Sequence, residues 1–122
     1  MIGYVTLGTN DINRAAGFYD GLLAEFGCKR GWETDRFIAW GTEPASQMIL
    51  VIKPHDGQPA TSGNGTMVSL VASSKAQVAA VHAKALALGG KDEGAVGPRG
   101  DGFYAGYFRD LDGNKLAVYF MG

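Results

Sequence analysis

The sequence predicts an α+β fold made of two successive βαβββ modules. Each half of the chain contains one strand pattern, then one amphipathic helix pattern, then three more strand patterns. The order repeats at a nearly constant spacing. Thr6 corresponds to Ser69, 63 positions later, and Leu50 corresponds to Ala117, 67 positions later. Because residue identity between the halves is low, the duplication is inferred from the pattern alone.

The first module is predicted to span residues 1–54. A strand over Gly3–Thr9 precedes a helix that Asn10 or Asp11 can cap, and Gly27 is the expected end of that helix. Strand patterns follow at 29–34, 36–41 and 48–53. The apolar residues of the helix form one continuous stripe, which consists of Ile12, Ala15, Ala16, Tyr19, Leu22, Leu23 and Phe26.

A polar stretch rich in turn-forming residues, 55–63, is predicted to link this module to a second one over residues 64–122. The second module begins with a strand at 65–72. Its helix opens with a capping-box pattern of Ser74 and Gln77 and is expected to end at Gly89-Gly90. Further strand patterns lie at 91–96, 103–109 and 115–121.

The last two strand patterns predict a hairpin around a two-residue turn at Asp112-Gly113. Such a turn requires positive φ, which Asp-Gly pairs adopt readily. A single module of this size could hardly bury both a helix stripe and a sheet face. We therefore expect the two modules to pack together or against another chain, and the sequence leaves both arrangements open.

The composition excludes several classes of function. The 122 residues carry a net charge of −1 without a basic block, which argues against a nucleic-acid partner. No apolar run approaches the length of a membrane span, so no membrane partner is expected. Cys28 is the only cysteine and cannot form an internal disulfide, which suits a cytoplasmic location. We read it as an unreactive thiol.

Two motifs point to a known family. They are Phe18-Tyr19 on the first helix and the turn Asp110-Leu111-Asp112-Gly113-Asn114. Together with Gly97-Pro98-Arg99, they make the chain resemble the vicinal oxygen chelate superfamily, which contains glyoxalase I, bleomycin-resistance proteins and extradiol dioxygenases. The resemblance implies that paired βαβββ modules form an open, cup-shaped β-barrel, usually in a homodimer, with a ligand cleft inside the curved sheets.

The same resemblance places the four metal-ligand positions of metal-dependent members at Tyr4, Leu50, Met67 and Ala117. Leucine and alanine cannot ligate a hard divalent ion through their side chains, methionine is a soft ligand, and tyrosine is rare in this role. A shift of one residue brings in only aliphatic side chains next to Leu50 and Ala117. We therefore predict no metal site and no cofactor. We also predict that metal-dependent isomerisation and ring cleavage are absent.

The remaining candidate site residues can each be interpreted as structural or as functional. His82 lies on the apolar stripe of the second helix, which favours a structural histidine, and His55 lies in a polar loop. Arg99, in a glycine-rich segment with Asp101, either brings a guanidinium to an anionic ligand or belongs to an ordinary surface loop. The predicted cleft residues are Tyr4, Leu50, Met67, Arg99, Tyr104 and Ala117, with aromatic walls that suit flat or apolar molecules.

Three functional hypotheses follow. The first is a metal-free protein that binds a small organic molecule, similar to the bleomycin-resistance branch. The second is a metal-independent glyoxalase-like lyase or isomerase in which Tyr4, His82 or Arg99 acts as an acid–base or anion-stabilising group. The third is a non-catalytic structural or partner-binding domain.

Overall fold

The computed structural model describes residues 1–42 and 47–122, and it has the α+β architecture that the sequence predicts. The first four-stranded mixed sheet has the strand order β1-β4-β3-β2. Strands β1 and β4 are parallel, and the other pairs are antiparallel. The elements of this module are β1 (Tyr4–Gly8), α1 (Ile12–Ala24), β2 (Lys29–Glu33), β3 (Phe37–Gly41) and β4 (Met48–Ile52).

The second module repeats this topology. Its strand order is β5-β8-β7-β6, with β5 and β8 parallel. Thr6 pairs with Leu50 in the first sheet and Ser69 pairs with Ala117 in the second, so the spacing seen in the sequence reflects equivalent positions. The elements are β5 (Val68–Val71), α2 (Lys75–Ala87), β6 (Lys91–Pro98), β7 (Phe103–Arg109) and β8 (Lys115–Met121).

Both helices begin at side chains that satisfy free backbone N–H groups. Asp11 accepts a hydrogen bond from the Arg14 N–H at 3.0 Å, and Ser74 accepts one from the Gln77 N–H at 3.0 Å. The side chain of Gln77 reaches one residue further back than a capping box requires and accepts from the Ser73 N–H at 2.7 Å. No helix among the described residues is long and apolar enough to cross a membrane.

The main core lies between the helices and the helix-facing sides of the sheets. Tyr19, Leu22 and Trp40 are almost fully buried there, as the stripe on α1 predicts for the first two. Phe18 lies outside that stripe but is only 2% exposed. It is buried because α1 packs against α2 as well as against its own sheet.

Two predicted strand boundaries need correction. Strand β5 begins at Val68 rather than Gly65, because Gly65 has a φ of 93° and cannot continue a ladder. Strand β6 extends to Pro98 instead of ending at Val96. A proline is tolerated there because β6 is an edge strand, and its pairing with β7 is interrupted by register shifts.

The predicted two-residue turn between β7 and β8 is a five-residue loop, 110–114. The Asp110 carboxylate organises this loop by accepting hydrogen bonds from the backbone N–H groups of Asp112 and Asn114, both at 2.9 Å. Gly113, with a φ of 88°, is the only loop residue in the left-handed region, whereas the predicted turn type needs two. The local sequence pattern does not show that Asp110 is buried, so it could not predict a longer loop built around its carboxylate.

The two sheets remain separate, and no closed barrel forms among the described residues. Strands β1 and β5 are edge strands, and neither pairs with the other sheet. The modules meet through α1 and α2 and through hydrogen bonds at the 110–114 loop. There Asp112 accepts from the Asn10 N–H at 3.0 Å, and the Asn114 amide donates to the Gly8 carbonyl at 3.0 Å.

Candidate functional site

Each sheet has one face covered by its helix and one face turned away from it, which we call the open face. In the first sheet, Val51 and Trp40 lie in the helix-side core. Because side chains alternate along a strand, the positions between them belong to the open face. The strand pairings assign Tyr4, Thr6, Trp32, Phe37, Ala39, Met48 and Leu50 to this face.

The open face of the second sheet is rich in aromatic side chains. Leu116 and Val118 belong to the helix-side core, which leaves the alternate positions for the open face. The pairings assign Ser69, Val71, Phe103, Ala105, Tyr107, Lys115, Ala117 and Tyr119 to this face. Met67 directly precedes β5 and is 43% exposed.

The four positions that the sequence resemblance assigns to metal ligands fall on two different sheets. Tyr4 and Leu50 lie on the open face of the first, and Ala117 lies on that of the second, with Met67 at its edge. Tyr4 is 59% exposed, whereas Ala117 is 1% exposed, because large side chains surround it on the same face. Within 1–42 and 47–122, no three His, Cys, Asp or Glu side chains converge in a way that could hold a metal ion.

His82 lies on the helix side of the second sheet. Its Nε2 is 3.1 Å from the Tyr107 carbonyl oxygen and 3.2 Å from Asp92 Oδ1, which fixes the orientation of the ring. The ring also packs against Gly106, where an added Cβ would lie 3.0 Å from it. The structure therefore places His82 on the opposite side of the sheet from Ala117.

Tyr104 also lies on the helix side, where Lys75 Nζ from α2 is 5.5 Å from the ring centroid. Of these two tyrosines, the one on the open face is Tyr107, which pairs directly with Ala117. Strand parity was the available signal, since Tyr104 and Tyr107 are three residues apart and cannot share a face. The same alternation places Lys115, two residues before Ala117, on the open face, so it could have been predicted as a site residue.

Arg99 follows β6 and reaches the open face. Its guanidinium donates hydrogen bonds to the carbonyl oxygens of Ala95, at 2.5 Å, and Pro98, at 3.4 Å. The guanidinium carbon lies 5.6 Å from the centroid of the Tyr107 ring, within the range of a cation–π contact. Arg99 and Ala117 therefore lie on the same side of the sheet, and Tyr104 does not.

Comparison with known proteins places the fold in a family. The family model described as Glyoxalase/Bleomycin resistance protein/Dioxygenase superfamily matches residues 1–118. The chain belongs to this superfamily. A search of curated proteins found no match.

Solved structures of superfamily proteins resemble this one over its whole length. A glyoxalase/bleomycin resistance protein from Albidiferax ferrireducens T118 has 34% sequence identity and a TM-score of 0.92, covering 100% of this chain and 99% of that one. A glyoxalase-related enzyme from Fulvimarina pelagi has 20% identity and a TM-score of 0.79, covering 98% and 87%. A lactoylglutathione lyase from Agrobacterium tumefaciens has 22% identity and a TM-score of 0.72, covering 98% and 92%. The latter two likenesses show the fold alone.

The motifs that make this superfamily member recognisable have structural roles. The Tyr19 hydroxyl donates to Asp110 Oδ2 at 2.6 Å, and the Asn114 amide donates to the same oxygen at 2.9 Å. Burial raises the pKa of Tyr19 well above its usual value, and the Asp110 charge raises it further. Tyr19 therefore stays neutral and holds the two modules together.

Of the two cavities in this superfamily member, the first lies beside the open face of the second sheet, and the second is lined mainly by helix-side residues. A cavity of about 640 Å³ is bounded by Arg109, Lys115 and the connecting segment 62–67. A second, of about 530 Å³, lies between the two sheets and is lined by residues that include Ile49, Leu70 and Cys28. Burial raises the pKa of the Cys28 thiol, which makes it a weak nucleophile at neutral pH.

Proposed function

We propose that this protein binds a small organic molecule on its open faces without a metal ion. The observation that carries this proposal is the chemistry of the four positions at which metal-dependent relatives hold their ion. Here they are Tyr4, Leu50, Met67 and Ala117, whose side chains make a poor donor set for a hard divalent cation. The same faces offer aromatic and apolar surface, which suits an organic ligand.

Burial at two of these positions supports the same conclusion. Leu50 is 7% exposed and Ala117 is 1% exposed, so their neighbours cover them. An ion there would need other ligands, and Thr6 and Ser69 are the paired residues on the adjacent strands. Hydroxyl groups alone bind transition metals such as zinc and iron weakly, because these metals prefer nitrogen and sulfur ligands.

We further propose that two copies of the chain form a homodimer, which completes the ligand cleft. Strands β1 and β5 are edge strands in the described structure, and apolar residues stay exposed on or beside them. Ile2 is 59% exposed, Met67 43% and Val71 65%. Pairing with a second copy would cover these residues and the free strand edges. With its single Cys28, such a dimer suits the cytoplasm.

A metal-independent lyase or isomerase is the second candidate. Of the three predicted catalytic residues, Tyr4 and Arg99 reach the open faces and His82 does not. This function would require the Tyr4 hydroxyl to move a proton or Arg99 to stabilise an anion. A non-catalytic domain that binds a protein partner is the remaining alternative.

The test is a thermal-shift screen of a metabolite library, run with and without EDTA, with turnover assays on each hit. We expect hits that raise the melting temperature equally in both arms and are not converted. Conversion that survives EDTA and falls in Tyr4→Phe would establish the enzyme instead. A library without hits, together with a dimer that encloses no cleft, would favour the partner-binding alternative.

Two matched variants locate the binding site. Ser69→Arg places a large cation on the open face, where Ser69 is exposed. Ala83→Arg places the same group on an exposed position of α2. We expect binding to be lost in Ser69→Arg and kept in Ala83→Arg. Equal affinity in both variants would show that the ligand binds away from the open face.

A further inference from the structure

Two cations flank an aromatic ring on the open face of the second sheet. Tyr107 lies on the central strand β7, between Arg99 at the end of β6 and Lys115 at the start of β8. The Arg99 guanidinium carbon and Lys115 Nζ each lie 5.6 Å from the ring centroid. We call these three residues the cationic patch.

The charge of the cationic patch is not neutralised within the described part of the chain. Neither Arg99 nor Lys115 forms an ion pair there. The nearby carboxylate is Glu93, and Arg109 binds it at 2.5 Å. The hydrogen bond from Arg109 lowers the pKa of Glu93, and the charges of Arg109 and Lys115 lower it further. Glu93 is therefore charged, and it offsets one of the three cations Arg99, Lys115 and Arg109. Two positive charges remain.

The patch adjoins space that a ligand can occupy. Lys115 lines the cavity of about 640 Å³, within the usual range for small-molecule sites. Farther along the same face, Phe103 and Tyr119 stack with centroids 5.2 Å apart. Ala105 and Ala117 are buried between these aromatic residues and the patch, so a molecule on this face contacts rings rather than alanines.

We propose that this face selects organic anions, in which a carboxylate or phosphate is bound by Lys115 and Arg99 and a flat apolar body lies on the rings. This inference rests on the proposed function and names its ligand class. Lysine and arginine bind such groups through charge-assisted hydrogen bonds, and aromatic surfaces favour flat partners. The distance along β8 from Lys115 to Tyr119 is roughly 13 Å, which fits a ligand of one or two rings with an anionic end.

The experiment titrates a panel of one- and two-ring aromatic carboxylates and their primary amides into the protein, followed by calorimetry and amide NMR spectra. The amides keep the shape and remove the charge. We expect carboxylates to bind at least about tenfold more tightly than their amides, since a charge-assisted hydrogen bond is lost. Raising the salt concentration should weaken carboxylate binding.

The matched variants are Lys115→Gln and Lys75→Gln. Both lysines lie over a tyrosine ring, Lys115 over Tyr107 on the open face and Lys75 over Tyr104 on the helix side. We expect Lys115→Gln to lose about tenfold or more in carboxylate affinity and Lys75→Gln to keep it. Arg99→Gln should resemble Lys115→Gln.

Three outcomes would overturn the inference: equal binding of amides and carboxylates, unchanged affinity in Lys115→Gln, or no binding by any member of the panel. In the first two cases the proposed function stands if Ser69→Arg abolishes binding, because an organic ligand still occupies the open face. The proposed function fails separately if the metabolite screen also finds no ligand.

Discussion

The Tyr19 hydroxyl on α1 donates a 2.6 Å hydrogen bond to Oδ2 of Asp110, which lies 91 positions later in the chain. Tyr19 is fully buried and Asp110 is 6% exposed. The two residues belong to different modules, so this bond fixes how the first module sits on the second. It acts together with the contacts between α1 and α2 and with the hydrogen bonds of the 110–114 loop to Gly8 and Asn10.

Tyr19→Phe should reduce the free energy of unfolding by about 1.5–3 kcal/mol, because a buried hydrogen bond to a charged group is lost. Urea unfolding monitored by fluorescence measures this change. The control is Tyr4→Phe, which removes an exposed hydroxyl and should change stability by less than about 0.5 kcal/mol. Additive effects of Tyr19→Phe and Asp110→Asn in the double variant would contradict direct coupling.

The raised pKa of Tyr19 makes stability sensitive to alkali. The unfolded chain ionises this tyrosine near pH 10, whereas the folded chain keeps it neutral. Its contribution is therefore fully present below about pH 10 and is lost as the pH rises toward the folded-state pKa. We expect the stability difference between wild type and Tyr19→Phe to shrink between about pH 9 and about pH 11. A constant difference would show that Tyr19 is not responsible.

Asp20 gives the opposite pH dependence. A hydrogen bond from Arg30 lowers its pKa, and one from the Trp40 indole N–H, at 2.8 Å, adds to this. A depressed pKa contributes stability above the unfolded-state value, and the contribution is lost as the pH falls below about 4. Because the Asp20 side chain is 44% exposed and solvent screens its ion pair, Asp20→Asn should cost about 1 kcal/mol or less at neutral pH. Thermal unfolding of both proteins from about pH 7 to about pH 2.5 should show the two curves converging in acid; parallel curves would refute the assignment.

The proposed homodimer predicts an effect at the exposed edge strand β5. Val71→Arg places a charge on that edge and should weaken self-association at least about tenfold, because an unpaired charge at an apolar interface is costly. Analytical ultracentrifugation over a range of concentrations measures this. Ala83→Arg, on the outer surface of α2, should leave self-association unchanged. A wild-type protein that stays monomeric at micromolar concentration would contradict the dimer.

Much of the fold could be predicted from the sequence, because hydrophobic periodicity and glycine ends are local signals. The stripe on α1, the left-handed Gly27 just after that helix ends at Ala24, and the equivalence of Leu50 with Ala117 all follow from local residue type and spacing. Phe18 and the 110–114 loop could not be predicted, since both depend on contacts between modules. Phe18 is buried because α1 meets α2, and Asp110 shapes its loop while it binds Tyr19.

The candidate site was predictable to a smaller extent. Strand parity alone could separate Tyr104 from Tyr107, but it could not say which of the two faces the helix covers. The sequence favoured a structural role for His82 and left a catalytic one open, and in the structure its ring lies beside the Tyr107 carbonyl on the helix side. The cationic patch depends on three neighbouring strands, so its members are dispersed over residues 99–115.

The central claim, a metal-free ligand site on the open faces, is tested most directly by a crystal structure of protein purified without chelator, combined with elemental analysis of the same sample. We expect less than about 0.1 equivalent of zinc, nickel, manganese or iron, and organic density against Tyr107 and Tyr119. One equivalent of metal with an anomalous signal beside Tyr4, Leu50, Met67 or Ala117 would contradict the claim.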